Sequence, residues 1–254
     1  MFRKKVVPLH AIINCMQIIS CQHINLIQYG YNEHPCVWAI HVQIDHNNFC
    51  EEGMDLVRQI SDTSWLSHFD IVDRRSFESK IQPTIEILSR QILHQSTTST
   101  LSDIHKDFAE YLISINGQAA LVQQGHTSVP LPELWKEKEK GNPGFDFHTI
   151  SPNSLFVFGE AKFAADNTSN SRAIKQIADF LGKNKHINDL SLLRLITQAN
   201  DAAEKAAMEQ IGIAAAFSVK QTNVQTMINN AIYHSRFKEL LTRQEIYIIA
   251  VEIV

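Results

Sequence analysis

The sequence is short of the features that assign a protein quickly. Only 4 of its 254 residues are cysteine, and Cys15, Cys21, Cys36 and Cys50 all fall in the first fifth of the chain. None has the close paired spacing of a zinc ribbon. A disulfide framework is out of place in a chain large enough to build its own core. Reduced, mostly buried thiols are therefore expected. His23, His34 and Cys36 have ligand chemistry, but no spacing that demands a metal. Long apolar runs are missing as well. Arg3, Lys4 and Lys5 precede a stretch from Val6 to Asn32 without Asp, Glu, Lys or Arg, and Ile18-Ile19-Ser20-Cys21 resembles a lipoprotein cleavage box. Pro8, His10, Asn14 and Gln17 break that stretch, whereas a signal core is nearly continuous and a membrane span takes about 20 apolar residues. Neither export nor a membrane partner is expected, and the location read from this is cytoplasmic.

An excess of positive charge is also lacking. Lys plus Arg is 23 and Asp plus Glu is 27, a net charge of −4, which excludes a protein that coats nucleic acid by charge alone. A local basic groove stays open. There is no internal repeat, and no helix-turn-helix or zinc finger to read bases. What is present is ordinary for a globular chain, 44% hydrophobic and 20% charged, sufficient for one large domain or two modest ones.

The polar run Gln95-Ser96-Thr97-Thr98-Ser99-Thr100 has nothing to bury and is read as a boundary between residues 1–98 and 99–254. The first region reads as a smaller α+β interaction module. It contains a β-branched and aromatic strand at 36–44 and a helix at 76–95 with Ile81, Ile85, Leu88 and Ile92 in register, its start weakened by Pro83. In the second, Ser102 caps a helix from Asp103 carrying Ile104, Phe108, Leu112 and Ile115, which Asn116-Gly117 ends. A short strand at 119–123 follows. The charged run through Lys136 to Lys140 is expected to be solvated, before a turn at 141–144. Strands at 145–150 and 155–163 are joined by Ser151-Pro152-Asn153-Ser154, a hairpin signal. Then come helices at 171–181, 187–198 and 201–210, a strand at 213–219, a long helix at 222–242 and a strand at 246–254. This order implies an α/β fold, helices layered on a central mixed sheet.

Strands alternate faces, so Glu160 and Lys162 share a side that Ala161 does not. Leu155-Phe156-Val157-Phe158 is apolar without alternation, the mark of a strand covered on both faces. Charges at the end of such a strand are costly unless something needs them. A hairpin centred on Pro152-Asn153 sets Asp146 opposite Gly159 and Glu160. Two carboxylates so close repel unless one is protonated or a cation lies between them. Hard oxygen ligands suit Mg²⁺ or Mn²⁺, which polarise a phosphoryl oxygen and acidify a bound water. Lys162 is placed to orient that water and offset charge at phosphorus. These are the components of phosphodiester hydrolysis.

The spacing Gly144-Phe145-Asp146-Phe147, thirteen residues, then Glu160-Ala161-Lys162 resembles the PD-(D/E)xK nuclease superfamily, with Phe145 in place of the proline. The resemblance covers about residues 100 to 220. It implies a restriction-endonuclease-like core, Asp146 and Glu160 as metal ligands with the carbonyl of Ala161, and Lys162 as the catalytic lysine. It also implies a following helix whose Arg172, Lys175 and Gln176 contact DNA or steady the site, and an acidic residue on the preceding helix, here Glu110. Lys183 and Lys185 extend the basic set. From Glu160 to Lys185 there are five basic and three acidic residues, a local reversal of the overall charge that fits a backbone-contacting groove. More narrowly, Leu131-Pro132-Glu133-Leu134-Trp135-Lys136 with the two motif segments is similar to the nuclease subunit of Hachiman-type anti-phage systems, which implies a restraining helicase partner. The blander readings are a solvated ion pair for Glu160 and Lys162, an exposed polar face for Lys175 and Gln176, an ordinary exposed residue for Glu110 and a surface histidine for His148. The rival functions are a catalytically silent DNA-binding or regulatory subunit and a site-specific restriction endonuclease.

Overall fold

A computed structural model describes residues 16–32, 34–45, 49–96, 106–136, 144–164, 168–220 and 223–254. Residues 97–105, with the Ser102 cap and the expected helix start at Asp103, lie outside it, as do Cys15, the rest of the charged run at 137–140 and the turn at 141–143.

Seven strands among the described residues form one mixed sheet. They are β1 (Met16–His23), β2 (Cys36–Ile44), β3 (Thr127–Ser128), β4 (Phe147–Ile150), β5 (Phe156–Lys162), β6 (Gly212–Val219) and β7 (Glu245–Ile253), in the order β1-β2-β7-β6-β5-β4-β3. The centre of the sheet, β2, β7, β6 and β5, is parallel, and antiparallel strands close both edges. Every residue of β5 and β6 is buried, as continuous apolar runs require of strands covered on both faces. The helices are α1 (Phe49–Ser61), α2 (Ile71–Ser96), α3 (Lys106–Gln123), α4 (Pro132–Trp135), α5 (Ser169–Gly182), α6 (Lys185–Thr197), α7 (Asn200–Ala207) and α8 (Val224–Tyr233). Among the described residues no helix is long and apolar enough to cross a membrane.

The expected division at 98/99 does not divide the sheet, because β2 pairs along its whole length with β7, near the other end of the chain. The three helix boundaries that differ most from the sequence reading each do so for a stated reason. α2 begins at Ile71, since the Asp70 carboxylate accepts from the backbone N–H groups of Val72 and Asp73 and caps it. It then runs through Pro83. α3 continues through Asn116-Gly117, and the strand expected at 119–123 is its last turn. Asn116 turns its amide back to the Leu112 carbonyl at 2.9 Å. Gly117 lies where the helix crosses β6, and a Cβ there would sit 2.9 Å from the Cβ of Ala216. The glycine sets the depth of contact instead of ending the helix. The helix expected at 222–242 stops at Tyr233, where His234 takes an extended backbone, and a 3-10 turn at Phe237–Glu239 follows with Phe237 fully buried.

Candidate active site

The β4–β5 hairpin has Phe147 opposite Gly159, one residue from the register read off the turn. Asp146 lies just before β4 and still donates its N–H to the Gly159 carbonyl at 2.8 Å, which places it level with Glu160. Phe147 spreads its ring over Gly159, on the side where α3 crosses. Glu160 and Lys162 therefore face the other way, with Phe158, towards α5. Phe158 meets Phe145, which in turn stacks edge-on against Phe180 of α5.

Three charged groups and one carbonyl meet at this end of β5. The Lys162 Nζ donates to Glu160 Oε1 at 2.5 Å and to the Ala161 carbonyl at 2.9 Å, and lies 3.9 Å from Asp146 Oδ2. That same Asp146 oxygen accepts from the Ala161 N–H at 2.8 Å. Glu160 is wholly buried and its carboxyl meets that of Asp146 in a hydrogen bond that favours its neutral form, whereas the Asp146 side chain is 35% exposed. Burial, and then the charge of Asp146, push the Glu160 carboxyl well above the usual range against the opposing pull of Lys162. Burial disfavours the Lys162 cation, but Glu160, Asp146 and Glu110 together outweigh it and raise its pKa. Lys162 is thus a cation at neutral pH, and the two carboxyls beside it are held too close for both to ionise freely.

The remaining predicted residues divide. Glu110, one turn before Ser114 on α3, faces the same groove as Asp146 and acts electrostatically on Lys162, so it is no ordinary exposed helix residue. Gln176 is half-buried and one helical turn from Phe180, hence on the same side of α5. Among the described residues it makes no hydrogen bond to the charged trio. Arg172 and Lys175 are exposed near the start of α5, while Lys183 caps its far end and Lys185 opens α6. Eleven residues of helix, about 16 Å, separate Arg172 from Lys183, so the basic set is not a single cluster. Asp179 interrupts it, held below the usual carboxylate range by its hydrogen bond to Arg236.

Two expectations are overturned nearby. His148 is not on the surface. It is fully buried, with burial and then Lys136 holding its pKa down, because alternation turns it into the aromatic layer of Trp135, Phe145 and Phe158. Lys136 is not simply solvated, since its Nζ reaches the buried Asp189 at 2.6 Å. The sequence reading also missed Ser114, whose hydroxyl donates to the Asp146 carbonyl at 3.2 Å. Its spacing of four from Glu110 was the available signal.

Asp146 opens into a groove of about 990 Å³ whose walls come from α2, α3, α4 and Leu192 of α6. A second cavity, about 690 Å³, lies at the opposite ends of the parallel strands and is lined by Cys21, Cys36, His126, Glu245 and Tyr247 among others. Both of these cysteines are free thiols, half-buried rather than fully so. Among the described residues no group of three or more His, Cys, Asp and Glu side chains is arranged to hold a metal ion. A cation at the candidate site therefore depends on two carboxylates and a backbone carbonyl. Compared with known proteins, the chain matches no family model and no curated protein.

Proposed function

We propose that the chain is a metal-dependent DNA nuclease of the PD-(D/E)xK type, with a restriction-endonuclease-like core and low sequence specificity. The observation that carries this reading is the meeting of two carboxyls, the wholly buried Glu160 and Asp146, with Lys162 and the Ala161 carbonyl at the end of β5. Two carboxyls held this close repel when both are ionised, and a hard divalent cation answers that cost where a shared proton otherwise does. The donor set fits Mg²⁺ or Mn²⁺. Asp146, Glu160 and the Ala161 carbonyl supply oxygen ligands, and the exposed edge of Asp146 leaves an approach for substrate. The ion, when bound, supplies Lewis acidity towards a phosphoryl oxygen and a more acidic water.

The chain's own groups do the rest. Lys162, with its Nζ beside Glu160 and the Ala161 carbonyl, is the donor that orients a water and offsets charge at phosphorus. Ser114 and the Ala161 N–H fix Asp146 through its carbonyl and its Oδ2, which limits the reorganisation left for the reaction itself. Glu110 adds negative charge that strengthens the Lys162 cation. Arg172, Lys175, Lys183 and Lys185 are the proposed contacts to the sugar-phosphate backbone, outside the groove that Asp146 lines. The motif segments further support the role of effector in an anti-phage complex, restrained by a helicase partner.

Plasmid incubated with Mg²⁺ or Mn²⁺ is expected to be degraded to a smear. Glu160→Gln, Asp146→Asn and Lys162→Ala are expected to lose about 10²-fold or more in rate, with circular dichroism and melting behaviour retained. Undiminished cleavage by all three variants refutes the assignment, and discrete fragments point to a site-specific restriction enzyme. One observation favours a silent regulatory subunit instead. The Lys162 ammonium already sits on Glu160 Oε1 and the Ala161 carbonyl, two of the three groups a cation needs.

A further inference from the structure

We infer that Lys136 is a positioning residue for Asp146, which it holds through the backbone of Gly144 from an anchor on Asp189. This inference rests on the nuclease reading and adds a residue to that same site. Asp146 needs such a restraint, since its side chain is 35% exposed. The Gly159 carbonyl and the Ser114 hydroxyl tie down its backbone at Asp146 itself. Neither bond holds the chain that leads into it, and Gly144 lies two residues before Asp146.

Lys136 supplies that hold. A Cβ on Gly144 would fall on the Lys136 Nζ and lie 3.2 Å from its Cε, and the three atoms nearest to it all belong to Lys136. The end of the lysine therefore crosses the Gly144 backbone in the space a side chain at 144 would fill. From there the ammonium reaches Asp189 Oδ2 of α6 at 2.6 Å. Asp189 is 1% exposed. Removing one partner of a buried ion pair is costly, whereas the pair itself adds little net stability, which makes it a device for fixing geometry. A shift of the Gly144 backbone towards Lys136 is blocked, because it would drive the ammonium off a buried carboxylate. Phe145, the residue between, is buried against Phe158 and Phe180, so the placement of Gly144 passes along a stiff link to Asp146. The residue after α4, the approach to β4 and α6 are thus joined at one point.

The test reads the placement of Asp146 directly, by NMR-detected amide exchange in the full chain. The Asp146 N–H bonds to the Gly159 carbonyl and the Ala161 N–H to Asp146 Oδ2, so both amides open when Asp146 moves. The amides of Ala215 in β6 and Ile248 in β7 report opening of the whole sheet. Lys136→Met removes the ammonium and keeps the stem. Gly144→Ala keeps both charges and pushes the ammonium aside. Each is expected to speed exchange at Asp146 and Ala161 at least about tenfold beyond any change at Ala215 and Ile248. The two substitutions together are expected to do no more than Lys136→Met alone, since no ammonium is left to displace. In cleavage assays with Mn²⁺, each single variant is expected to lose at least about tenfold in kcat with KM for DNA unchanged. Equal acceleration at all four amides overturns the inference, because the pair then merely holds the fold together. An additive double variant also overturns it, because Gly144 then acts without Lys136. A raised KM with kcat unchanged assigns Lys136 to substrate contact and overturns it too. If the wild type cuts nothing, the nuclease reading falls, while the unequal exchange still upholds the placement of Asp146 by Lys136.

Discussion

Gly159 lies directly across from Phe147, and the Phe147 ring covers its Cα so closely that a Cβ would come within 2.3 Å of two ring atoms. The neighbours leave no slack, since Phe147, Phe156 and Phe158 are all fully buried. A methyl group here must tilt the ring or part the two strands, and either shift moves Asp146 relative to Glu160. Overpacking of this kind costs about 1–3 kcal/mol. Gly159→Ala is therefore expected to lower stability by that amount in urea unfolding, and to weaken cleavage beyond what the loss of folded protein explains. The double variant Gly159→Ala/Phe147→Leu recovers part of the stability if the ring is the obstacle. No recovery points to a backbone requirement instead.

Between elements, the turn after α3 is fastened to the sheet by a chain of hydrogen bonds through His126. Its Nδ1 meets the Thr149 hydroxyl of β4 at 2.9 Å, and its Nε2 meets the Tyr247 hydroxyl of β7 at 3.2 Å, which donates onward to Glu245 at 3.0 Å. Burial brings the His126 pKa down to about 4, with Glu245 pulling weakly the other way. Burial likewise lowers His148 and His186. A histidine whose folded pKa is depressed binds fewer protons folded than unfolded between about pH 4 and 6.5. Stability is complete above that window and is lost as pH falls through it. The melting temperature is expected to drop across this range. His126→Gln, which keeps a polar partner for Thr149 and Tyr247, removes on the order of 2 kcal/mol of that dependence. An unchanged pH profile in the variant contradicts the role given to His126. Such connections explain which elements were legible in the sequence. The strands at 36–44, 213–219 and 246–254 and the helices at 171–181, 187–198 and 201–210 are bounded by local signals, and most of their ends lie within two residues of where they were read. The continuation of α3 depends on Gly117 meeting Ala216, and the break after α8 accompanies the burial of Phe237. No local pattern encodes either contact. The same holds at the site. A turn motif brings Asp146 to Glu160 and Lys162, so the trio could be read, whereas Ser114, the Lys136–Asp189 pair and the α2 wall depend on helices far away in sequence.

For the whole molecule, the parallel core runs from β2, near the beginning, to β5, in the middle, with β7 and β6 lying between them in that order. The candidate site lies at one end of this core, where β5 extends past the last paired residue of β4. The two crowded carboxyls there weigh on the stability of the entire fold, because the hairpin that brings them together is also the link to the antiparallel edge. A ligand that binds the folded chain alone stabilises it by about 2.7 kcal/mol at a hundred times its Kd, so occupancy of the site by a cation is readable as global stability. The most direct measurement is a Mn²⁺ titration of the full chain by calorimetry, with melting temperature followed alongside. The wild type is expected to bind Mn²⁺ and melt higher as the ion is added, while Asp146→Asn and Glu160→Gln lose both effects and remain folded. No binding by the wild type, or the same isotherm in all three proteins, contradicts the account at its centre.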